Sequence, residues 1–207
     1  IFHKGFLNTL IIVVVAVPCV TAFSLWVSSA IYKMHSIPRS FFRCVFYLPV
    51  VTGPVAITVV WKWILNPYNG ILNQVAGTTG FDWLGTQSTA LWFIILILFT
   101  TSIGQPIVLY VAALGNVDQS LIEAAQVDGA TKLQVFWKIK WPQIMPTTLY
   151  VLVITTINSF QCFALIQLLT KGGPLNSTMT IMYQVYDTAY RLNDLGYACA
   201  IGVVLAI

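Results

Sequence analysis

Two groups of residues in this chain have types and spacings that could do chemistry. One is the segment EAAQVDGA, Glu123 to Ala130, which holds two of only six acidic residues beside alanines and a glycine. The other is a set of uncharged polar residues inside long apolar runs. Thr155, Ser159 and Cys162 are spaced i, i+4, i+7 and share one helical face, with Asn158 and Gln161 beside them. Thr100 and Gly104 are spaced i, i+4, next to Gln105 and Pro106. Hydroxyls, amides and a thiol in one stripe suit hydrogen bonding to a neutral, hydroxyl-rich molecule. The same small and polar residues also hold membrane helices together, and spacing alone leaves both uses open.

Other chemistries find no residues to carry them. His3 and His35 stand alone, so no metal cluster forms around them. Cys19, Cys44, Cys162 and Cys199 have no paired spacing and read as buried thiols. There is no G-x-x-x-x-G-K-[ST] loop to cradle the phosphates of ATP. The net charge of +4 comes without a basic patch outside the loops, which argues against nucleic acid as a partner.

The elements that position these residues must cross a membrane. The 207 residues are 58% hydrophobic and only 8% charged, against about 25% charged in a soluble domain. Charges are absent from Gly5 to Tyr32, Cys44 to Trp61, Trp83 to Val117 and Trp141 to Thr170. A span needs about 20 apolar residues, so each run predicts one. Span A is expected over Phe6 to Ile31 and span B over Phe41 to Leu65, bent by Pro49 and Pro54. Span C is expected over Ala90 to Leu114 and span D over Thr147 to Leu169. A turn-rich outer segment, Asn66 to Gly85, joins B to C. A second outer loop, TKGGPLNST, and a moderately polar helix, MTIMYQVYDTAY, lead to a short apolar run from Leu195 that reads as the first half of a fifth span.

Lys33, Arg39 and Arg43 in the first loop, and Lys132, Lys138 and Lys140 in the third, place both loops in the cytoplasm. Phe2 to Lys4 then lie outside, which predicts an odd number of further spans before Ile1, most simply one. No span interior carries an ionisable residue of the kind that gradient-coupled pumps place at depth. Energy for transport is therefore expected from outside the bilayer, through the loop at about 115–142.

That loop has legible helix chemistry. Ser120 and Glu123 match a capping box, predicting a short helix from about Leu121; Thr131 and Gln134 repeat the spacing and predict a second from Lys132. Asp128-Gly129 breaks the chain between them. Leu133, Val135, Phe136 and Ile139 fall near one face of the second helix, and Pro142 and Pro146 are expected to end it and open span D. The result is a small-residue knob fit to dock in a groove of another protein, or, on spacing alone, an amphipathic linker lying on the headgroups.

The residues EAAQVDGATKLQVFWKIKWP resemble the EAA loop of bacterial ATP-binding-cassette importer permeases, E-A-A, three residues, G, nine residues, I-x-L-P. Glu123, Ala124, Ala125, Gly129, Ile139 and Pro142 match, and Trp141 replaces the usual leucine. Asp128, Ala130 and Phe136 resemble the carbohydrate-uptake branch. FLNTL in span A, YLPVVTGPVAITVVWKWILNPYNGILN in span B and beyond, and FALIQLLTKGGPLNST after span D resemble the same branch, the last resembling the first permease of maltose-type systems.

The resemblance, which covers nearly the whole chain, implies an all-α polytopic fold. The fold it implies is a MetI-like, maltose-permease-like helical bundle with about five spans present, the last expected to be truncated and the family's first span expected to be missing, forming one permease domain over 1–207. It implies a multi-pass protein of the bacterial inner membrane that works with a homologous second permease, two ATP-binding subunits and an extracytoplasmic solute-binding protein. It implies no cofactor and no enzymatic activity in this chain, ATP being bound and hydrolysed by the partners. Glu123, Ala124, Ala125, Asp128, Gly129, Ala130 and Phe136 would contact the ATPase. Thr100, Gly104, Thr155, Asn158, Ser159 and Cys162 would lie on the path of a sugar or oligosaccharide, with Ile103 and Ile107 at neighbouring matched positions. Ser159 and Cys162 are shorter than the amides a tight sugar cage would use. Two other readings are an importer of glycerol phosphate or another polar solute in the same family, and a gradient-driven carrier or channel.

Overall fold

The computed structural model describes residues 2–78 and 80–206. Thr79, in the outer segment, and the end positions Ile1 and Ile207 lie outside the described residues.

The apolar runs form helices, since a peptide group in hydrocarbon must be satisfied within its own segment. In chain order they are α1 (Phe2–Ile31), α2 (Ser36–Ile64), α3 (Ile71–Ala76), α4 (Gln87–Ser102), α5 (Gly104–Gly115), α6 (Gln119–Val127) and α7 (Lys132–Val135). After a π-helical turn at Phe136–Lys140 come α8 (Trp141–Phe160), α9 (Ala164–Leu169), α10 (Ile181–Tyr186), a second π-helical turn and α11 (Leu195–Ala206). Among the described residues three helices are long and apolar enough to cross a membrane, and four with the α4–α5 pair counted as one bent span. The helical run Lys132–Leu169 has 38 residues. At ~1.5 Å per residue that is about twice the ~30 Å hydrocarbon thickness. The span is therefore its later part, α8 and α9, and the residues before Trp141 stand outside.

Three spans are interrupted. α2 breaks at Gly53, whose φ of 80° and ψ of 160° lie outside the helical region. The break falls on the residue before Pro54, where a following proline disfavours helical geometry, rather than at Pro49. α4 and α5 meet at 41° around Ile103. Span D, expected as one helix to Leu169, stops at Phe160 and resumes at Ala164. Cys162 thus sits in a break and not on a continuous stripe with Thr155 and Ser159.

Packing runs in three tiers. Ile12, Ile94, Ile97, Ile166 and Tyr183 anchor the outer one, Val20, Ile31, Ile103 and Ile107 the middle one. Leu114, Val117, Ile122, Val135 and Ile144 form the third, which ties α6 and α7 to the spans. Ser24 and Ser28 in α1 donate to the carbonyls of Ile103 (3.5 Å) and Ile107 (3.1 Å) in the bent span, a use of small hydroxyls as interhelical glue. The helix α2 has a single buried residue, Thr58. It leaves Phe41, Leu48, Val51, Val59 and Trp63 uncovered by the rest of the chain.

In the segment between α2 and α4, Asn73 in α3 is fully buried and organises the turn-rich stretch. Its amide donates to the carbonyls of Asn66 (3.3 Å), Pro67 (2.9 Å) and Phe81 (2.9 Å), and its oxygen accepts from Thr78 (3.1 Å) and Trp83 (2.6 Å). The TKGGPLNST loop returns to the start of α1, where Asn8 donates to the carbonyl of Met179 at 3.0 Å.

Candidate functional site

The segment between α5 and α8 is two short helices around a sharp turn, as its spacing predicts. The first begins two residues early. Asp118 is the N-cap: its carboxylate accepts the Ser120 amide at 2.9 Å and the Ser120 hydroxyl at 2.8 Å. These bonds hold the Asp118 carboxyl below its ordinary pKa. The expected Ser120–Glu123 box is absent because Ser120 lies inside the helix, one residue past its start, and donates its backbone amide to Asp118, which leaves Glu123 exposed. The second box is present. Thr131 N–H donates to Gln134 Oε1 and Gln134 N–H to Thr131 Oγ1.

Gly129 adopts φ 76°, a region L side chains resist, and an added Cβ would meet nothing within 4 Å. The prolines do not hinge the segment away from the membrane. Pro142 follows the π-helical turn by two residues, and α7 runs through that turn into α8 without a break.

The tip is uncovered. Glu123, Ala124, Asp128 and Gly129 are exposed, while Ala125, Ala130 and Phe136 are half-buried. Leu121, Val127, Leu133 and Trp137 present large apolar surface to solvent, Val127 at 88% exposure. Of the face expected on the second helix, Val135 turns into the third packing tier with Ile139 against it, and Leu133 faces out. Val117, Ile122 and Val135 therefore clamp the segment onto α5 and α8 while its opposite side stays free.

The second candidate is a cavity of about 360 Å³ at the level of the three helix breaks. Span B contributes Pro49, Val50 and Pro54; the bent span contributes Thr101, Ser102 and Gln105; span D contributes Asn158, Gln161 and Cys162. Interrupted helices that line a midplane site are a recurrent design in transporters. No Asp, Glu, Lys, Arg or His lines this cavity.

Of the six substrate-path residues read from the sequence, Asn158 and Cys162 line the cavity and four do not. Thr155 and Ser159 are 3% and 1% exposed, on a helix packed against α1 and α5. Thr100 donates back to the Ile97 carbonyl at 2.8 Å. Gly104 is a packing glycine: a Cβ there would overlap the Phe46 carbonyl and approach Val50 at 2.9 Å. Ile103 and Ile107 are buried in the middle tier. Within α8, Asn158 turns to the cavity while Thr155 and Ser159 turn into the bundle, and the break after Phe160 brings Gln161 and Cys162 to the cavity. Gln105, named beside Gly104 in the sequence, lines the cavity; Thr101 and Ser102 were not singled out by spacing, and the Gly104-Pro106 break signal beside them marks their place.

The chain matches, over residues 2–207, the family described as binding-protein-dependent transport system inner membrane component. It is 31% identical over 214 residues to the probable ABC transporter permease protein YurN of Bacillus subtilis (strain 168), covering 100% of this chain and 73% of that one. It is 31% identical over 202 residues to the probable ABC transporter permease protein YesP of the same strain, covering 94% and 64%. With the sn-glycerol-3-phosphate transport system permease protein UgpA of Escherichia coli O6:K15:H31 it shares 31% over 168 residues, covering 80% and 57%. The chain thus spans under two thirds of the latter two. A solved bacterial alginate ABC transporter, in complex with an alginate pentasaccharide-bound periplasmic protein, contains a chain of the same fold. That chain aligns with a TM-score of 0.84 at 24% identity, covering 99% of this chain and 73% of the other. The chain belongs to the family of binding-protein-dependent transport system inner membrane components.

Proposed function

We propose that this chain forms half of the translocation path of an ATP-binding-cassette importer for a sugar or oligosaccharide. It works beside a second, homologous permease, two ATP-binding subunits and an extracytoplasmic solute-binding protein. The observation that carries the substrate class is the cavity at the three helix breaks, lined by Thr101, Ser102, Gln105, Asn158 and Gln161 and by no Asp, Glu, Lys, Arg or His among the described residues. Neutral donors and acceptors suit hydroxyls. A phosphate would call for cationic or bidentate donors.

ATP binds to the partner subunits, and Glu123, Ala124, Ala125, Asp128, Gly129, Ala130 and Phe136 face the ATPase. The exposed apolar tip supports this, since Leu121, Val127 and Leu133 have no cover within the chain. Closure of the ATPase moves α6. The apolar clamp of Ile122 and Val135 on Leu114 and Ile144 carries that motion into the bent span and span D. Membership of a binding-protein-dependent family argues against a gradient-driven carrier or channel.

A second reading, import of a polyol phosphate, is favoured by the likeness to UgpA. The test is uptake by the assembled transporter in vesicles, with neutral oligosaccharides and glycerol phosphate as competing solutes. ATP-dependent uptake of a neutral sugar is expected. Uptake of the phosphate ester alone overturns the sugar reading, and uptake without ATP overturns the importer.

A further inference from the structure

A second cavity, of about 240 Å³, opens at the cytoplasmic ends of α1 and α8. At ~30 Å³ per water it has room for about eight waters. Tyr32, Lys33, Gln126, Lys132, Phe136 and Lys140 are among its lining residues. Three lysines thus line one mouth, and no carboxylate is among the described residues that line it. Of the acids nearest in sequence, Asp118 is engaged by Ser120, and Glu123 and Asp128 are exposed on the tip. The one salt bridge among the described residues, Arg191 with Asp187, lies after the outer loop. Lys140 is half-buried, its Nζ 5.3 Å from the centre of the Tyr32 ring. Burial, and then the Lys33 ammonium, hold the Lys140 pKa below the usual lysine value. A partly desolvated cation beside other cations lacks a counter-charge.

The depth of the mouth is set by its neighbours. Lys33 follows the end of α1 and Lys140 precedes the start of α8. Trp137 and Trp141 flank Lys140 in sequence, their rings tilted at 55° with centres 5.5 Å apart, and tryptophans collect at headgroup level. Basic pockets between spans on the cytoplasmic side suit anionic headgroups.

We propose that this mouth, formed by Lys33, Lys132 and Lys140 with Tyr32 and Gln126, binds a phosphate-bearing anion, supplied by the headgroup of an anionic phospholipid. The headgroup bridges the first loop to the coupling segment and so fixes the register between α1 and α8. The proposal rests on the membrane orientation of the family and not on the identity of the solute.

The test is native mass spectrometry of the assembled transporter, delipidated and then given phosphatidylglycerol, phosphatidylcholine or inorganic phosphate. Phosphatidylglycerol retained over phosphatidylcholine is expected. Retention should fall about fivefold for each of Lys33→Gln, Lys132→Gln and Lys140→Gln, and Lys140→Arg should restore it. Since Lys33 and Lys132 are exposed, their variants should assemble normally. Competition by inorganic phosphate at millimolar concentration, with no lipid retained, would keep the anion site and assign it to the free ion. Equal retention of both lipids, or of phosphatidylglycerol by the triple glutamine variant, overturns the proposal. So does a triple variant that loses the ATPase but not the lipid. Lipid retention is read without transport, so its failure is separate from any failure of the sugar reading.

Discussion

Thr131 and Gln134 hold each other across one helical turn: the Thr131 amide donates to Gln134 Oε1 at 2.8 Å, and the Gln134 amide donates to Thr131 Oγ1 at 3.3 Å. This reciprocal cap starts the helix that carries Val135 into the third packing tier. Thr131→Ala removes the hydroxyl acceptor and should cost about 0.5–2 kcal/mol. Amide exchange in residues 132–135 should speed up, and ATP-driven uptake should fall, while Thr131→Ser keeps both. Unchanged exchange in Thr131→Ala would show that packing alone holds the turn.

Gly129 separates backbone strain from contact with a partner. Its φ of 76° penalises any L side chain, yet a Cβ there meets nothing in this chain. Gly129→Ala and Gly129→Trp should therefore lose similar stability, about 1–2 kcal/mol. Only the indole should abolish coupling, because it cannot enter a groove on the ATPase. Equal uptake by the two variants would remove the docking role of the tip.

The turn at Asp128-Gly129 and the Thr131 box were legible because they rest on local chemistry. Each span was legible as an uncharged run. The boundaries that failed were decided by competition. Ser120 matches a capping box as well as Thr131 does, but Asp118 two residues upstream takes the Ser120 amide that Glu123 would accept. The cavity was half legible for the same reason. A stripe of Thr155, Ser159 and Cys162 assumes 3.6 residues per turn throughout, and the break after Phe160 ends that period. Asn73 gave no signal, since asparagine in a turn-rich segment looks the same whether exposed or at the centre of five hydrogen bonds.

The orientation follows from where the lysines gather, with the Lys140 ammonium reaching the Tyr32 ring at 5.3 Å from the neighbouring span. Cysteines replacing exposed Gln74 and exposed Lys132, in a cysteine-free background, should label from opposite sides of sealed vesicles. Asn73 would be a poor choice because its side chain is the hub of the segment. Labelling of both from one side contradicts the order of spans between them.

Gly104 should tolerate no side chain. Its Cα faces the backbone of α2 at Phe46 and Tyr47, so Gly104→Ala forces helices apart that are meant to touch. Overpacking of this kind costs about 1–3 kcal/mol, and Gly104→Leu should cost more. Both should lower the thermal unfolding midpoint of the purified complex. Full stability with a selective loss of uptake would return Gly104 to the substrate path.

Asn158 and Ser159 are adjacent in sequence and opposed in role. Asn158 is exposed to the cavity beside Gln161, whereas Ser159 is 1% exposed within the bundle. Asn158→Ala should leave unfolding unchanged and reduce uptake by the worth of one hydrogen bond to the solute, about 0.5–1.5 kcal/mol or roughly twofold to tenfold. Ser159→Leu should do the reverse. It inserts volume where none is free, so the complex should lose stability before its transport chemistry can be read. Ser159→Ala, which keeps the volume and removes only the hydroxyl, separates the two roles: normal uptake is expected. A large loss of uptake in Ser159→Ala with unchanged stability, alongside a silent Asn158→Ala, would show that the solute follows the buried stripe and not the cavity at the helix breaks.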